Sequence, residues 1–230
     1  MQMASISKFP SHHGVQTPQI PKKIRPLEVA QLDLDEEYSE VTFSGLDFSG
    51  RKLENLHFSQ VICKQVRFTQ TLLAKVGGLD LSLERCDLSG AQWEKGRFRR
   101  FAVVGSRMIG CSFMEGVFED ALFVDCNLEG ANYINATFKR ARFEKCNLRG
   151  VSFEGADLSS VVFDQCDNSK SVYINAVLTA TDFRGSIIDD MRLGVGDVRG
   201  AIFSPRQAVQ VAGLLGILIK DDQDEMTGQE

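Results

Sequence analysis

The sequence predicts an all-β chain, a parallel β-solenoid of about eight coils closed at its C-terminal end by a short capping helix. Three observations lead there. From Val41 to Pro205 an apolar centre recurs every five residues without loss of phase, from Phe43, Phe48, Leu53, Phe58 and Cys63 to Leu193, Val198 and Phe203. Of 33 such centres only Gly78 and Asn168 lack an apolar side chain. Two places before each centre stands a mostly small or slender residue, as at Cys86, Ala91, Cys111, Ala121, Cys126, Ala131, Cys146, Ala156 and Cys166. No proline occurs between Pro26 and Pro205, which suits an array in which every coil donates backbone hydrogen bonds to the next.

A helix repeats its apolar face every 3.6 residues and a strand every 2, so a strict period of five fits neither. A chain that turns a corner after each five residues places one large and one small side chain inward on every side of a coil. Units such as Ala121-Leu-Phe-Val-Asp, Cys126-Asn127-Leu128-Glu129-Gly130, Ala131-Asn-Tyr-Ile-Asn, Cys146-Asn147-Leu148-Arg149-Gly150 and Ala156-Asp157-Leu158-Ser159-Ser160 resemble the A(D/N)LXX consensus of the pentapeptide-repeat family. The resemblance implies a right-handed, quadrilateral coil of twenty residues, with successive coils about 4.8 Å apart.

Residues twenty apart should then be vertical neighbours. That stacks Phe123, Phe143, Phe163, Phe183 and Phe203 on one side and Trp93, Phe113, Tyr133, Phe153 and Tyr173 on another, with a slender column of Cys86, Ser106, Cys126, Cys146, Cys166 and Ser186. Gly50, Gly90, Gly110, Gly130 and Gly150 share one phase, as tight corners would.

Outside the repeat, residues 1–26 hold four of the five prolines together with His12 and His13, and are expected to be a disordered leader. Residues 27–40 are expected to cap the first coil through Leu27, Val29, Leu32 and Leu34, and 41–203 to form the solenoid. Ser204-Pro205-Arg206-Gln207 has serine as N-cap, proline at the first helical position and glutamine three residues on. Ala208, Val211, Ala212 and Leu215 would be its buried face, Gly216 its stop, and Ile217-Leu218-Ile219 a short final strand. Residues 204–220 would thus cover the open strand edge. Leu214, Leu215, Ile217 and Ile219 exceed what one lid needs and are expected to join two chains end to end. Residues 221–230 are an acidic tail.

Composition is that of an ordinary water-soluble protein, 43% hydrophobic and 25% charged with a formal net charge of −5. No apolar run is long enough to span a bilayer and no signal-peptide pattern opens the chain, so a cytoplasmic location is the default and no membrane partner is expected. All six cysteines fall in inward phases and are read as buried structural thiols rather than metal ligands. A filled solenoid has no concave polar pocket, and His57 precedes a centre and faces solvent. No catalytic set, cofactor, metal or small-molecule substrate is expected. Gly77-Gly78 is read as a kink or bulge, and Asn168 as bonding to backbone inside the coil or marking a bend.

Between Val41 and Pro205 there are twenty acids and twenty bases, but unevenly placed: six against eleven up to Ile109, then fourteen against nine up to Gly200. The close of the chain, Asp197-Val198-Arg199-Gly200-Ala201-Ile202-Phe203-Ser204-Pro205-Arg206-Gln207-Ala208 through Leu214-Leu215-Gly216-Ile217-Leu218-Ile219, is similar to that of the Qnr-type and albicidin-resistance pentapeptide proteins. This resemblance implies a homodimer joined at its C-terminal ends that binds DNA gyrase or topoisomerase IV in place of DNA and protects it from quinolone- or albicidin-type inhibitors. Carboxylates on the rod would imitate phosphates, and Asp125, Glu144, Asp164, Asp167 and Asp182, near one corner of consecutive coils, are the candidates. The alternative is a protein-interaction scaffold with another partner.

Overall fold

Left-handed backbone at every fifth residue makes the coil. The computed structural model describes residues 14–27 and 37–220. Among them every non-glycine residue with positive φ sits at a multiple of five, from Glu40 (53°) to Asp190 (54°), and glycines such as Gly45, Gly50 and Gly105 take the same corners. Phe43 pairs with Cys63, Cys63 with Leu83, Leu83 with Val103, Val103 with Phe123, Phe123 with Phe143 and Phe143 with Phe163, all parallel and all twenty residues apart. Five residues to a corner and twenty to a level give four sides per coil.

The strands are β1 (Arg25–Pro26), β2 (Glu37–Ser39), β3 (Val41–Ser44), β4 (Lys52–Glu54), β5 (His57–Lys64), β6 (Leu72–Ala74), β7 (Gly77–Glu84), β8 (Arg97–Val104), β9 (Val117–Val124), β10 (Thr137–Glu144) and β11 (Val162–Asp164). One sheet runs β1-β3-β5-β7-β8-β9-β10-β11 with β2 also beside β5, while β4 and β6 pair on another side. Isolated parallel bridges such as Asn127↔Asn147 and Asn132↔Ser152 carry the ladder where sides are too short to count as strands.

The interior is filled by the two inward series. Phe123 and Phe143 stack at 4.5 Å between ring centroids, with Phe163, Phe183 and Phe203 following at 5.2, 5.0 and 5.2 Å. Phe113, Tyr133, Phe153 and Tyr173 form the second ladder at 5.5, 5.4 and 5.3 Å, and Trp93 joins it edge-on, 72° from the plane of Phe113. The slender column does more than leave room. Cys86, Cys126 and Cys146 donate their thiols to the buried carbonyls of Cys63, Val103 and Phe123, and Ser186 donates its hydroxyl to that of Phe163. All six cysteines are free and buried. Burial pushes the Cys86 thiol up to about 12 and Cys63 and Cys146 well above their ordinary value, so these thiols remain protonated, as the bonds donated by Cys86 and Cys146 require.

Both lost centres differ from expectation. Gly77-Gly78 makes no kink: β7 runs through it in register with β5 and β8. A Cβ at Gly78 would lie 2.9 Å from Phe98 Cδ1 and 3.1 Å from Leu81 Cδ2, because these two side chains have taken the missing volume. Asn168 bonds to a side chain rather than to backbone, its Oδ1 accepting from the Tyr173 hydroxyl at 2.8 Å.

Residues 14–26, within the segment expected to be disordered, lie against the solenoid. Arg25–Pro26 adds a strand to β3, and residues 14–19 run along the rod. Val15 is buried among Ala102, Val104, Leu122 and Val124, while the backbone N–H groups of Gln16 and Gln19 donate to Asp120 Oδ1 and Asp80 Oδ1. Leu27 and Tyr38 pack in the core, as a cap requires; Val29, Leu32 and Leu34 lie outside the described residues, as do residues 1–13 and 221–230.

At the far end α1 spans Pro205–Leu214 with a complete capping box between Ser204 and Gln207. Its buried face is Gln207 and Val211, with Ala212 and Leu215 half-buried and Ala208 exposed instead of buried. Gln207 closes the stack chemically. The carbonyls of Cys146 and Cys166 accept from the backbone N–H of Asp167 and Ile187, twenty-one residues on. The Ser186 carbonyl would next accept from residue 207, whose backbone has turned into the helix. The side-chain amide of Gln207 donates in its place, to Ser186 O at 2.8 Å and Phe183 O at 2.7 Å. Ile217-Leu218-Ile219 forms no strand.

Phe143→Ala should destabilise the fold by about 3–5 kcal/mol, read from denaturant unfolding. Gly78→Ala should also be destabilising, by about 1–3 kcal/mol, although it restores an apolar side chain to the centre series; unchanged stability would show that Phe98 and Leu81 do not hold that volume.

Candidate partner-binding surfaces

The outward residues of each side form columns twenty apart, so the solenoid displays its charges as vertical ladders. Asp125, Glu144, Asp164 and Asp182 belong to the side built from residues 121–125 and their equivalents, with Glu144 in register beside Asp164. Asp167 lies past the next corner in the column Asn147–Asp167–Ile187. The five therefore surround one edge of the rod as expected. Their charges are largely taken up. Arg142 holds Asp164 and approaches Glu144 at 3.7 Å, Lys145 reaches Glu144 at 3.3 Å, Arg149 reaches Asp167 at 3.1 Å, and Arg184 reaches Asp182 at 2.7 Å.

Asp125 alone stands at an exposed corner without an ion pair among the described residues. Burial raises the Asp167 carboxyl, but hydrogen bonds from the Ser169 hydroxyl and N–H, and then Arg149, outweigh it and hold the group below its ordinary 3.8. Arg184 likewise lowers Asp182 against its burial.

A second charged edge went unread in the sequence. Asp80, Arg100, Asp120 and Arg140 form one corner column. Arg100 grips Asp80 with two bonds of 2.6 Å, and Arg140 grips Asp120 at 2.8 and 2.9 Å while also reaching Glu119. Both aspartates are buried, since the 14–19 segment lies over them. The signal was present as alternating charge at intervals of twenty, but its cover comes from 60 to 100 residues away.

The C-terminal end carries the densest exposed apolar surface among the described residues. Leu214, Ile217 and Ile219 are exposed, Leu218 most of all at 86%, and Val209 and Ile202 are exposed as well. Leu215, expected to meet a second chain, is half-buried and packs on the core of its own.

Elsewhere among the described residues, no group of three His, Cys, Asp or Glu is placed to hold a metal, and no helix is long and apolar enough to cross a membrane. Residues 116–193 match the family model described as a pentapeptide repeat region. The repeat is a pentapeptide repeat. Its phase and geometry continue on both sides of the matched stretch, from Val41 to Phe203.

No curated protein matches the chain. Among solved structures, the chain is similar to HetL of Nostoc sp. strain PCC 7120, a pentapeptide repeat protein involved in heterocyst differentiation regulation, at 17% identity over 72% of this chain and 86% of that one, with a TM-score of 0.42. It is also similar to QnrB1, a plasmid-mediated fluoroquinolone resistance protein, at 21% identity over 86% of this chain and all of that one, with a TM-score of 0.37. A third is Rfr23 of the cyanobacterium Cyanothece 51142, at 13% identity over 73% and 88% and a TM-score of 0.14.

Asp167 and Asp120 both titrate below the ordinary 3.8 in the folded chain. Their contribution to stability is full above that value and is lost as pH falls through their lower folded values. Asp167→Asn and Asp120→Asn should therefore flatten the acid limb of a melting-temperature profile between about pH 2 and pH 5.

Proposed function

We propose that this pentapeptide-repeat protein is a non-enzymatic binding rod, dimeric through its C-terminal end, that presents its side faces to a macromolecular partner. One observation carries the reading: the interior is filled by stacked aromatic and slender side chains, so the chemistry the chain displays lies on flat outer columns. A rigid lattice of outward positions offers area and charge pattern, the elements of protein recognition. The dimer rests on Leu214, Ile217, Leu218 and Ile219, an apolar patch beside a helix that already seals its own coil. A second copy meeting it about a two-fold axis would cover the patch isologously.

The finer reading is DNA mimicry toward DNA gyrase or topoisomerase IV, with protection from quinolone- or albicidin-type inhibitors. It is favoured by the position of Asp125, Glu144, Asp164, Asp167 and Asp182 around one edge in the half of the rod nearest the proposed dimer axis. The four cations engaged with them leave that edge weakly negative, which favours a general protein partner over a phosphate-binding saddle. The cytoplasm, where thiols stay reduced, is the compartment that fits this reading and the six free cysteines.

Leu214→Asp with Ile217→Asp should halve the mass measured by light scattering; an unchanged mass rejects the interface. A gyrase supercoiling assay separates the two readings. Inhibition at micromolar protein, relieved by Asp125→Lys, supports mimicry, whereas full supercoiling in the presence of the rod and no rescue from a quinolone leaves the general scaffold.

A further inference from the structure

The glycine pair that makes no kink does make a hollow. In its outward column Gly77 stands in register between His57 below and Arg97 above, and Leu79 stands between Ser59 and Arg99. Around Gly77 a groove of about 480 Å3 runs along this side of the rod, lined by Gly77, Gly78, Phe58, Phe98, Leu79 and Val117. Leu79 is an exposed large apolar side chain, 41% accessible, on an otherwise polar face.

The rim is mostly basic at one end. Arg97 is exposed and has no ion pair among the described residues, and Arg99 approaches Glu119 only at 4.0 Å while Glu119 is engaged by Arg140 at 2.8 Å. At the other end His57 leans over the hollow: the position a Gly77 Cβ would occupy is 3.2 Å from its Cδ2 and 3.4 Å from its Nε2. The other ring nitrogen, Nδ1, donates to the Asn55 carbonyl at 3.0 Å. That bond fixes the tautomer and leaves Nε2 as the acceptor at the edge of the groove. Among the described residues Glu37 lines the end beyond His57 with no cation beside it in the groove, whereas Glu119 at the arginine end is held by Arg140, so an anion would seat beside the arginines.

We propose that the hollow at Gly77 is a binding site for a phosphate monoester on an apolar or aromatic stem. Arg97 and Arg99 take the phosphate oxygens, since two guanidinium forks suit a dianion better than a single point charge. The stem lies in the hollow against Leu79 and Val117, and His57 Nε2 accepts from a hydroxyl of the ester or of its carrier. The group has two possible sources of the same chemistry, a phosphorylated aromatic side chain of a partner protein or a free nucleotide.

The test is a titration of the full-length protein with phenyl phosphate, followed by amide NMR shifts at residues 57–59, 77–79 and 97–99. Saturable binding is expected, weakened about tenfold or more by Arg97→Ala and abolished by Gly77→Val, which fills the hollow and leaves both arginines in place. Arg97 is exposed, so its variant should melt with the parent and report on binding alone. A phosphotyrosine peptide and adenosine monophosphate serve as further arms. Saturable binding of either supports the site and identifies the source. Shifts that never saturate, that disappear on adding salt equally in parent and Arg97→Ala, or that persist in Gly77→Val overturn it.

Discussion

The left-handed corner is the constraint on which the rest of this structure depends. An L-residue resists that conformation by about 1–2 kcal/mol, and this chain adopts it at twenty-two non-glycine positions. Nothing local favours it at residues such as Lys75, Arg100 or Ala180. What holds each corner is the coil above and the coil below, through vertical N–H···O=C bonds of 2.7 to 3.0 Å that recur at offsets of nineteen and twenty-one residues. A single isolated coil would bear the strain with neither neighbour. The solenoid is therefore cooperative along its axis, and its ends need chemical closure. Gln207 supplies it at one end by donating to the carbonyls that the missing next coil would have bonded; Arg25–Pro26 supplies it at the other by pairing with Val41–Thr42.

A period of five raises a second problem, because apolar centres alone cannot distinguish one coil from the next. A slip of one level would still bury a centre against a centre. Size matching opposes such slips. Gly78 is tolerated only where Leu81 and Phe98 fill its place. The smaller centre Val103 lies beside an unusually large inward neighbour, Phe101, which packs against Phe123 at 5.9 Å. Trp93 needs Thr71 to accept its indole N–H at 3.0 Å, and Asn168 needs Tyr173. The edge column adds a charge rule with a period of two coils, Asp80–Arg100–Asp120–Arg140, in which a one-level slip sets like charges together.

Much of this was legible in the sequence because the repeat is strict. The ladders of Phe123 and Phe113 and the inward cysteines follow from phase alone, and the Ser204 capping box from its local motif. What was not legible depended on residues distant in sequence or on compensation within the core. Val15 and the N–H groups of Gln16 and Gln19 find partners at Leu122, Asp120 and Asp80, and no local pattern in a proline-rich segment announces that. The Gly78 centre looked like a break because the volumes of Leu81 and Phe98 were not weighed with it. Ala208 looked buried on helical spacing, but the helix rotates to bring Gln207 inward, where the unpaired carbonyls outweigh the apolar pattern. The five acids lie around one edge, while the cations engaged with four of them sit one or two residues away, or eighteen or twenty-two away across a level.

This separation between inside and outside is what makes the rod adaptable as a surface. Inward positions are fixed by the ladders, yet an outward residue touches mainly its neighbours twenty above and below, so charge can be rearranged at little cost to the fold. Here that freedom has produced three unlike regions on one scaffold: a weakly negative, largely ion-paired edge toward the C-terminal half, an apolar end around Leu218, and an arginine-rimmed hollow at Gly77. Each is a local departure from the average column, and each lies on a different side or end of the rod. A partner engaging one of them would leave the others free, which suits a protein that joins components better than one that occupies a single cleft.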